Sequence, residues 1–497
     1  MTVKLRQKRI SRAVALAMLS CALSMVAAPS SAGAAGAAGF RNGISQAPAA
    51  GPPRPLRIPA VHRVKFENGL TILTAEDQRA PVITIDIALP VGSVNDPAGG
   101  EGLAAATADL LTEGAAGQSS ENLAREVERL GAQVSSSAQQ DYTEFSVSVL
   151  SENGPRLIDI AAEMLLKPDF PLNEVRLYRA NRAQTVAYQR QDPNFLARES
   201  FNRIVYGSHP YAVSAPTPES IVSLSRAEIE RFYRTNYGPE GAVIAVVGDI
   251  EPATIEAKLK AAFGAWQRLS QTNQNWPKPP VGKSRNIYLI DRPGSEQADI
   301  RIGNIAAKRR AQDFLPLLVA NSVLGGGASS RLFLNVREQK GYTYDVASSL
   351  EALLQHGTFF TTIETRNEVV APAIQEILAE FERMRTSPIS DADLENAKNY
   401  INGSFALSLS TQGGLAERLV YAHIYGLGDD FLQTFRDRVN SITVDQVLKA
   451  SQAYILPDQA VIVVVGDAAT LKKSLDAVGP TQIVEGSDGS SKRRPSR

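Results

Sequence analysis

Cysteine and histidine are scarce in this chain. Among 497 residues there is one cysteine, Cys21, and four histidines, His62, His209, His356 and His423. Cys21 lies in an apolar N-terminal run. The body of the chain therefore has no thiol for a disulfide, a thiolate zinc site or a cysteine nucleophile. No two histidines lie within four residues of each other, so no helical face carries a His pair that could grip a metal. Each reads as a surface or hydrogen-bonded polar histidine. A G-x-S-x-G elbow and a phosphate-binding loop are also missing. The run Gly325-Gly326-Gly327 lacks dinucleotide-fingerprint spacing and reads as a flexible turn at a helix end.

Excess charge is missing too. The 52 basic residues balance the 52 acidic ones. Lys4, Arg6, Lys8, Arg9 and Arg12 crowd the N-terminus, and without those five the balance is 47 against 52, about −5. Such a body has no electrostatic footprint for nucleic acid. After the N-terminal run no stretch holds 18 consecutive apolar residues.

The basic residues precede an apolar run from Ala13 to Ala28 and a small-residue stretch from Pro29 to Ala38. This pattern predicts a secretory signal over residues 1–35, with a membrane anchor as the alternative. Met18-Leu19-Ser20-Cys21 faintly matches a lipoprotein site, but the apolar run continues past Cys21 and argues against cleavage there. The expected location is the bacterial periplasm.

With 43% hydrophobic residues, the chain can bury a large core and is too long for one typical domain. Residues 36–57 read as a flexible lead-in, 270–284 as a Pro-rich linker and 481–497 as a disordered tail. Between them lie halves at 58–269 and 285–480 that echo each other. The first ends Tyr237-Gly-Pro and then Ala242-Val-Ile-Ala-Val-Val-Gly248-Asp249. The second ends Tyr454-Ile-Leu-Pro457 and then Ala460-Val-Ile-Val-Val-Val-Gly466-Asp467. Each apolar run reads as a buried strand after an amphipathic helix, Arg226–Tyr237 or Val444–Tyr454. Alternation predicts strands at Val64–Leu73, Val82–Leu89 and Thr143–Leu150, with helices near 102–112, 120–130 and 155–166. The expected class is α+β: a duplicated domain, each half an antiparallel sheet covered by helices.

Several segments, in this order, carry a resemblance. They are Leu89-Pro-Val-Gly-Ser93, the helix opening Gly102-Leu103-Ala104, Asp141-Tyr-Thr143-Glu-Phe145, Val149-Leu150-Ser151, Pro168-Asp-Phe170-Pro171 and both Val-Val-Gly-Asp ends. The second half adds Leu324-Gly-Gly-Gly327, Ser330-Arg331-Leu332-Phe333, Val336-Arg337-Glu338 and Gly403-Ser-Phe405-Ala-Leu407-Ser. Together, over about residues 60–480, they resemble the insulinase, pitrilysin and processing-peptidase family, which carries an inverted zinc motif. The resemblance implies two halves forming a bowl or clamshell.

Active members of that family carry H-x-x-E-H, in which two histidines share one helical face and the glutamate between them activates water. Here the five positions read Ala105-Ala106-Thr107-Ala108-Asp109. A third ligand, Glu, is expected on the helix near Val175–Arg190, where it falls at Gln184 or Thr185. No acid occurs from Val175 to Gln191. Both ligand histidines, the base and the third ligand are absent, and Asp109 alone is not a site. No metal or other cofactor is expected on this chain.

The family's second-half Arg-x6-Tyr pair is kept as Arg337 and Tyr344, with Tyr342 the alternative phenol. The resemblance implies that this pair contacts peptide at the zinc site. Arginine is a fixed fork of donors for a peptide carbonyl, and a phenol can donate to an oxyanion. Some bacterial relatives divide the two sets between subunits. The expected role is thus the non-zinc subunit of a periplasmic zinc peptidase heterodimer, inactive alone. Its partner is a family member bearing H-x-x-E-H and zinc, acting on peptide substrates. The competing readings are an inert peptidase-like scaffold or peptide-binding protein, and an enzyme with an unrecognised site.

Overall fold

Asn68-Gly69 splits the first alternating stretch in two. In the computed structural model, which describes residues 56–269 and 275–484, the single strand expected over Val64–Leu73 is a hairpin of β1 (Val61–Lys65) and β2 (Thr71–Glu76). Gly69 takes φ +95°, a conformation that side-chain-bearing residues resist. Asn68 fixes the turn by donating from Nδ2 to the Phe263 carbonyl at 2.9 Å and accepting the Leu70 amide at 3.2 Å.

The first half continues with β3 (Val82–Leu89), the short pair β4 (Gly114–Ala115) and β5 (Gln118–Ser119), then β6 (Gln133–Ala138), β7 (Thr143–Leu150) and β8 (Val243–Gly248). Its sheet runs β1-β2-β8-β3-β7-β6. The second half holds β9 (Asn286–Asp291), β10 (Gln297–Ala306), β11 (Val346–Ala352), β12 (Gly357–Arg366), β13 (Val461–Gly466) and β14 (Thr481–Val484). Its order is β11-β12-β10-β13-β9-β14. The two sheets match strand for strand except at β1 and β14, as the duplicated apolar runs require. Residues 481–484, read as disordered tail, instead form β14 beside β9.

Most pairings are antiparallel, but β2–β8, β9–β13 and β9–β14 are parallel. The reason is geometric. The strand closing the first half inserts between β2 and β3, which run in opposite directions, so it must be parallel to one of them. Every residue of β8 is buried. A strand covered on both faces reads as a continuous apolar run rather than an alternating one.

The second covering layer comes from the other half. Helix Pro193–Tyr206 of the first half packs on β10 and β13 of the second. Helix Gln412–Ile424 of the second half packs on β3 and β8 of the first. Accordingly, Phe195, Phe201 and Tyr206 share a core with Ile290, Phe360, Val463 and Val465. Leu415, Ala416 and Leu419 share one with Leu73, Ala75, Val243 and Ala245.

The exchange is pinned symmetrically. Arg79, just after β2, donates to the Ser410 carbonyl at 3.0 Å. Arg292, just after β9, donates to the Gln191 carbonyl at 2.8 Å. Each arginine thus holds the backbone immediately before the other half's exchanged helix. Residues 56–484 accordingly fall within one compact unit. Residues 1–55, 270–274 and 485–497 lie outside the described residues, and with them the expected signal, most of the lead-in and the tail end. Residues 275–284 form neither helix nor strand.

Candidate functional site

The degenerate motif sits on helix Leu103–Leu110. Asp96 caps that helix from the preceding loop, accepting the Gly102 amide at 2.8 Å and the Ala104 amide at 2.7 Å. Burial pushes its carboxyl up to about 7, against these two bonds. Ala104, Ala106, Thr107 and Ala108 are buried, so the helix backbone lies close to its neighbours. Ala105 and Asp109, one turn apart on one face, are half-buried.

Asp109 looks across a cavity of about 280 Å³ at helix Leu172–Gln189, which contributes Tyr178, Asn181, Arg182 and Thr185. Burial raises the Asp109 carboxyl, while the Arg182 guanidinium and the Tyr178 phenol oppose that shift. Of the two candidate third-ligand positions, Thr185 lines this cavity. Its hydroxyl is engaged with the Asn181 carbonyl at 3.0 Å. The donor set does not fit zinc. Asp109, Glu113 and Glu174 all line the space, but the Arg182 guanidinium, always charged, stands among them, no histidine is present, and Ala105 and Ala108 offer no lone pair. Among the described residues no group of three His, Cys, Asp or Glu side chains could hold a metal.

Two histidines far apart in sequence do meet. His209 is buried, accepts the Tyr211 amide on Nδ1 at 3.1 Å, and lies 5.3 Å from His356 between ring centroids, edge to face. Burial lowers both, His209 to about 4. The pair is a neutral packing element at the seam of the halves.

Arg337 lies in a π-helical segment, Phe333–Gln339. Its guanidinium stacks over the Phe333 ring at 4.4 Å and reaches Glu338 at 3.6 Å. Both contacts belong to its own segment. The two candidate tyrosines part company. Tyr342 packs against the second-half core and its carbonyl accepts the Thr365 hydroxyl. Tyr344 is 90% exposed. Thr343 between them is anchored to the Glu364 carbonyl at 2.7 Å, which fixes the turn that holds Tyr344 outward. Among the described residues no hydrogen bond or ion pair joins Arg337 or Tyr344 to the degenerate-motif helix; the structure places the two sets in different halves.

Gly325-Gly326-Gly327 ends helix Phe314–Gly325 as expected, but not for flexibility. None of the three has a positive φ. A Cβ on Gly325 would lie 2.3 Å from the Ser348 amide of β11, so close backbone approach requires glycine there.

Sequence reading missed a buried carboxylate at the seam. Asp141 is 3% exposed. It accepts hydrogen bonds from the Tyr211 hydroxyl, from the Leu354 amide at 2.9 Å and from the Tyr425 hydroxyl at 3.2 Å. Asp141 belongs to the family-like segment 141–145, but only the fold supplies its three donors.

With this geometry in place, comparison with known proteins is direct. Residues 71–218 match the model of the insulinase family, peptidase family M16, and residues 223–401 match that of the M16 inactive domain. The chain belongs to the M16 insulinase family, as a two-half, peptidase-like member. It is 25% identical over 398 residues to an uncharacterized zinc protease of Streptomyces coelicolor, covering 78% of this chain and 86% of that protein. It is also 25% identical to the uncharacterized zinc protease YmxG of Bacillus subtilis, covering 72% and 87%. Among solved structures, a peptidase M16 inactive domain from Pseudomonas fluorescens superposes with TM-score 0.77 at 26% identity, covering 82% of this chain and 98% of that one. The periplasmic protease PqqL of Escherichia coli shares the fold, with TM-score 0.72 at 16% identity over 83% of this chain and 46% of that one. Among the described residues no helix is long and apolar enough to cross a membrane.

Proposed function

We propose that this chain is the non-zinc subunit of an exported zinc peptidase heterodimer that degrades or processes peptides. A partner of the same family supplies H-x-x-E-H and the metal. This chain supplies Arg337 and Tyr344. The observation that carries the reading is the division between its halves. The former ligand face is occupied by Asp109 and Arg182, while Tyr344 stands out from the second half with its hydroxyl free for a ligand. A phenol held outward by a fixed turn suits donation to a developing oxyanion, and an arginine suits a peptide carbonyl. The basic leader and apolar run at the N-terminus support export to the periplasm.

The test is co-expression with family members that carry H-x-x-E-H, followed by co-purification and a peptide-cleavage assay. Cleavage by the pair and by neither chain alone is the expected result. A pair that forms and cleaves at the partner's own rate, or no pair at all, would leave an inert peptide-binding scaffold.

A further inference from the structure

A second cavity, of about 500 Å³, opens at the seam between the halves, away from the degenerate zinc site. This size is ordinary for a small-molecule site. Its floor is apolar: Ile204 and Val205 at the end of the first exchanged helix, Tyr288 of β9, Ile305 of β10, Val461 of β13, and Leu456. Pro279, Pro280 and Val281 of the connecting segment form the facing wall, and Val281 is 83% exposed, an apolar side chain left in water.

The mouth has one sign of charge. Lys278 and Lys283 line it, Lys278 and Lys308 lie near His356 on its rim, and among the described residues no Asp or Glu is in the wall. None of these lysines has an ion-pair partner among the described residues. Both asparagine side chains that line the cavity are already engaged. Asn304 donates to the Ile305 and Tyr454 carbonyls, both at 2.8 Å, and accepts the Leu456 amide at 3.1 Å. Asn286 donates to the Ser284 carbonyl at 3.0 Å. A bound peptide backbone would find neither asparagine available, and an amide left unpaired on the apolar floor is costly. A hydrocarbon chain needs none.

We propose that this cleft binds a long-chain acyl anion, with the tail on the apolar floor and the carboxylate at Lys278 and Lys283. The site is independent of the peptidase reading, since neither Arg337, Tyr344 nor Asp109 borders it.

The test is titration of the delipidated full chain with dansyl-undecanoic acid, read by fluorescence and by displacement. Saturable binding is expected, with palmitate displacing the probe. Each methylene removed from the competitor should weaken it about fourfold. Lys278→Glu with Lys283→Glu, both exposed, should weaken binding about tenfold or more. Ile305→Trp should fill the cleft and abolish binding at an unchanged thermal midpoint. If hexadecyl phosphate competes as well as palmitate, the site reads the anionic head and tail together, and the proposal stands. It fails if no saturable binding occurs or if neither variant changes the affinity. It also fails if hexadecanol competes as well as palmitate, if only the alkyl phosphate competes, or if a peptide ending in an apolar residue competes at the same concentration.

Discussion

The Tyr425 hydroxyl of the second half donates to the Asp141 carboxylate of the first at 3.2 Å, in a place almost closed to water. Tyr211 and the Leu354 amide complete the acceptor's shell, so one side chain ties elements from both halves. Removing it strands three donors at once. Asp141→Ala should therefore destabilise the chain by about 3 kcal/mol, while Tyr425→Phe should cost only about 1 kcal/mol. Urea unfolding measures both, and equal small losses would show that the clasp does not join the halves.

The helix exchange makes a second prediction about folding. Phe201 is fully buried against a sheet of the other half, with its ring 6.0 Å from Phe360. Phe201→Ala should cost about 3–5 kcal/mol, and unfolding should remain one cooperative transition followed by fluorescence or circular dichroism. Two separated transitions would mean that each half is stable without its borrowed helix.

Isolated chain should contain no stoichiometric zinc, as metal analysis by mass spectrometry will check. Installing Ala105→His, Ala108→Glu, Asp109→His and Thr185→Glu should still give weak binding. Arg182 remains at the cavity, and a fixed guanidinium opposes a divalent cation there. Adding Arg182→Ala to the set should raise zinc affinity by about tenfold or more. Tight zinc in the parent chain would overturn the assignment of the site.

In the reconstituted pair, Tyr344→Phe should lower kcat by about 10²-fold or more with KM little changed, because an oxyanion donor acts near the transition state. Arg337→Ala should lower activity comparably without dissociating the pair. Tyr342→Phe should instead leave turnover near parental, since that ring packs inward. Loss of turnover in Tyr342→Phe alone would reverse the assignment of the two tyrosines.

Glu144 and Asp86 lie on neighbouring strands with Glu417 nearby, and burial foremost pushes Glu144 up to about 7 and Asp86 to about 6. A carboxyl whose folded value exceeds its unfolded value binds more protons when folded. Stability from this group is thus present at low pH and lost as pH rises through about 7. Glu144→Gln should raise the thermal midpoint at pH 8, by the equivalent of about 1–2 kcal/mol after solvent screening, and change little at pH 5. An equal effect at both pH values would exclude titration as the cause.

The amino-acid order alone determined the duplication, the mixed helix and strand content, the missing ligands at Ala105 and Asp109, and the presence of an Arg337-x6-Tyr344 pair. These depend on residue type and short spacing, and strands such as Val82–Leu89 and Thr143–Leu150 emerge where alternation marks them. Tertiary structure alone decided which sheet each helix covers, because helix Pro193–Tyr206 is apolar enough for either half and only docking assigns it to the second. It also decided the parallel entry of β8 between β2 and β3, the donors around Asp141, and the outward set of Tyr344 against the inward set of Tyr342. Each of these is a contact between residues far apart in the chain, and local pattern carries no record of what a side chain will meet across a fold.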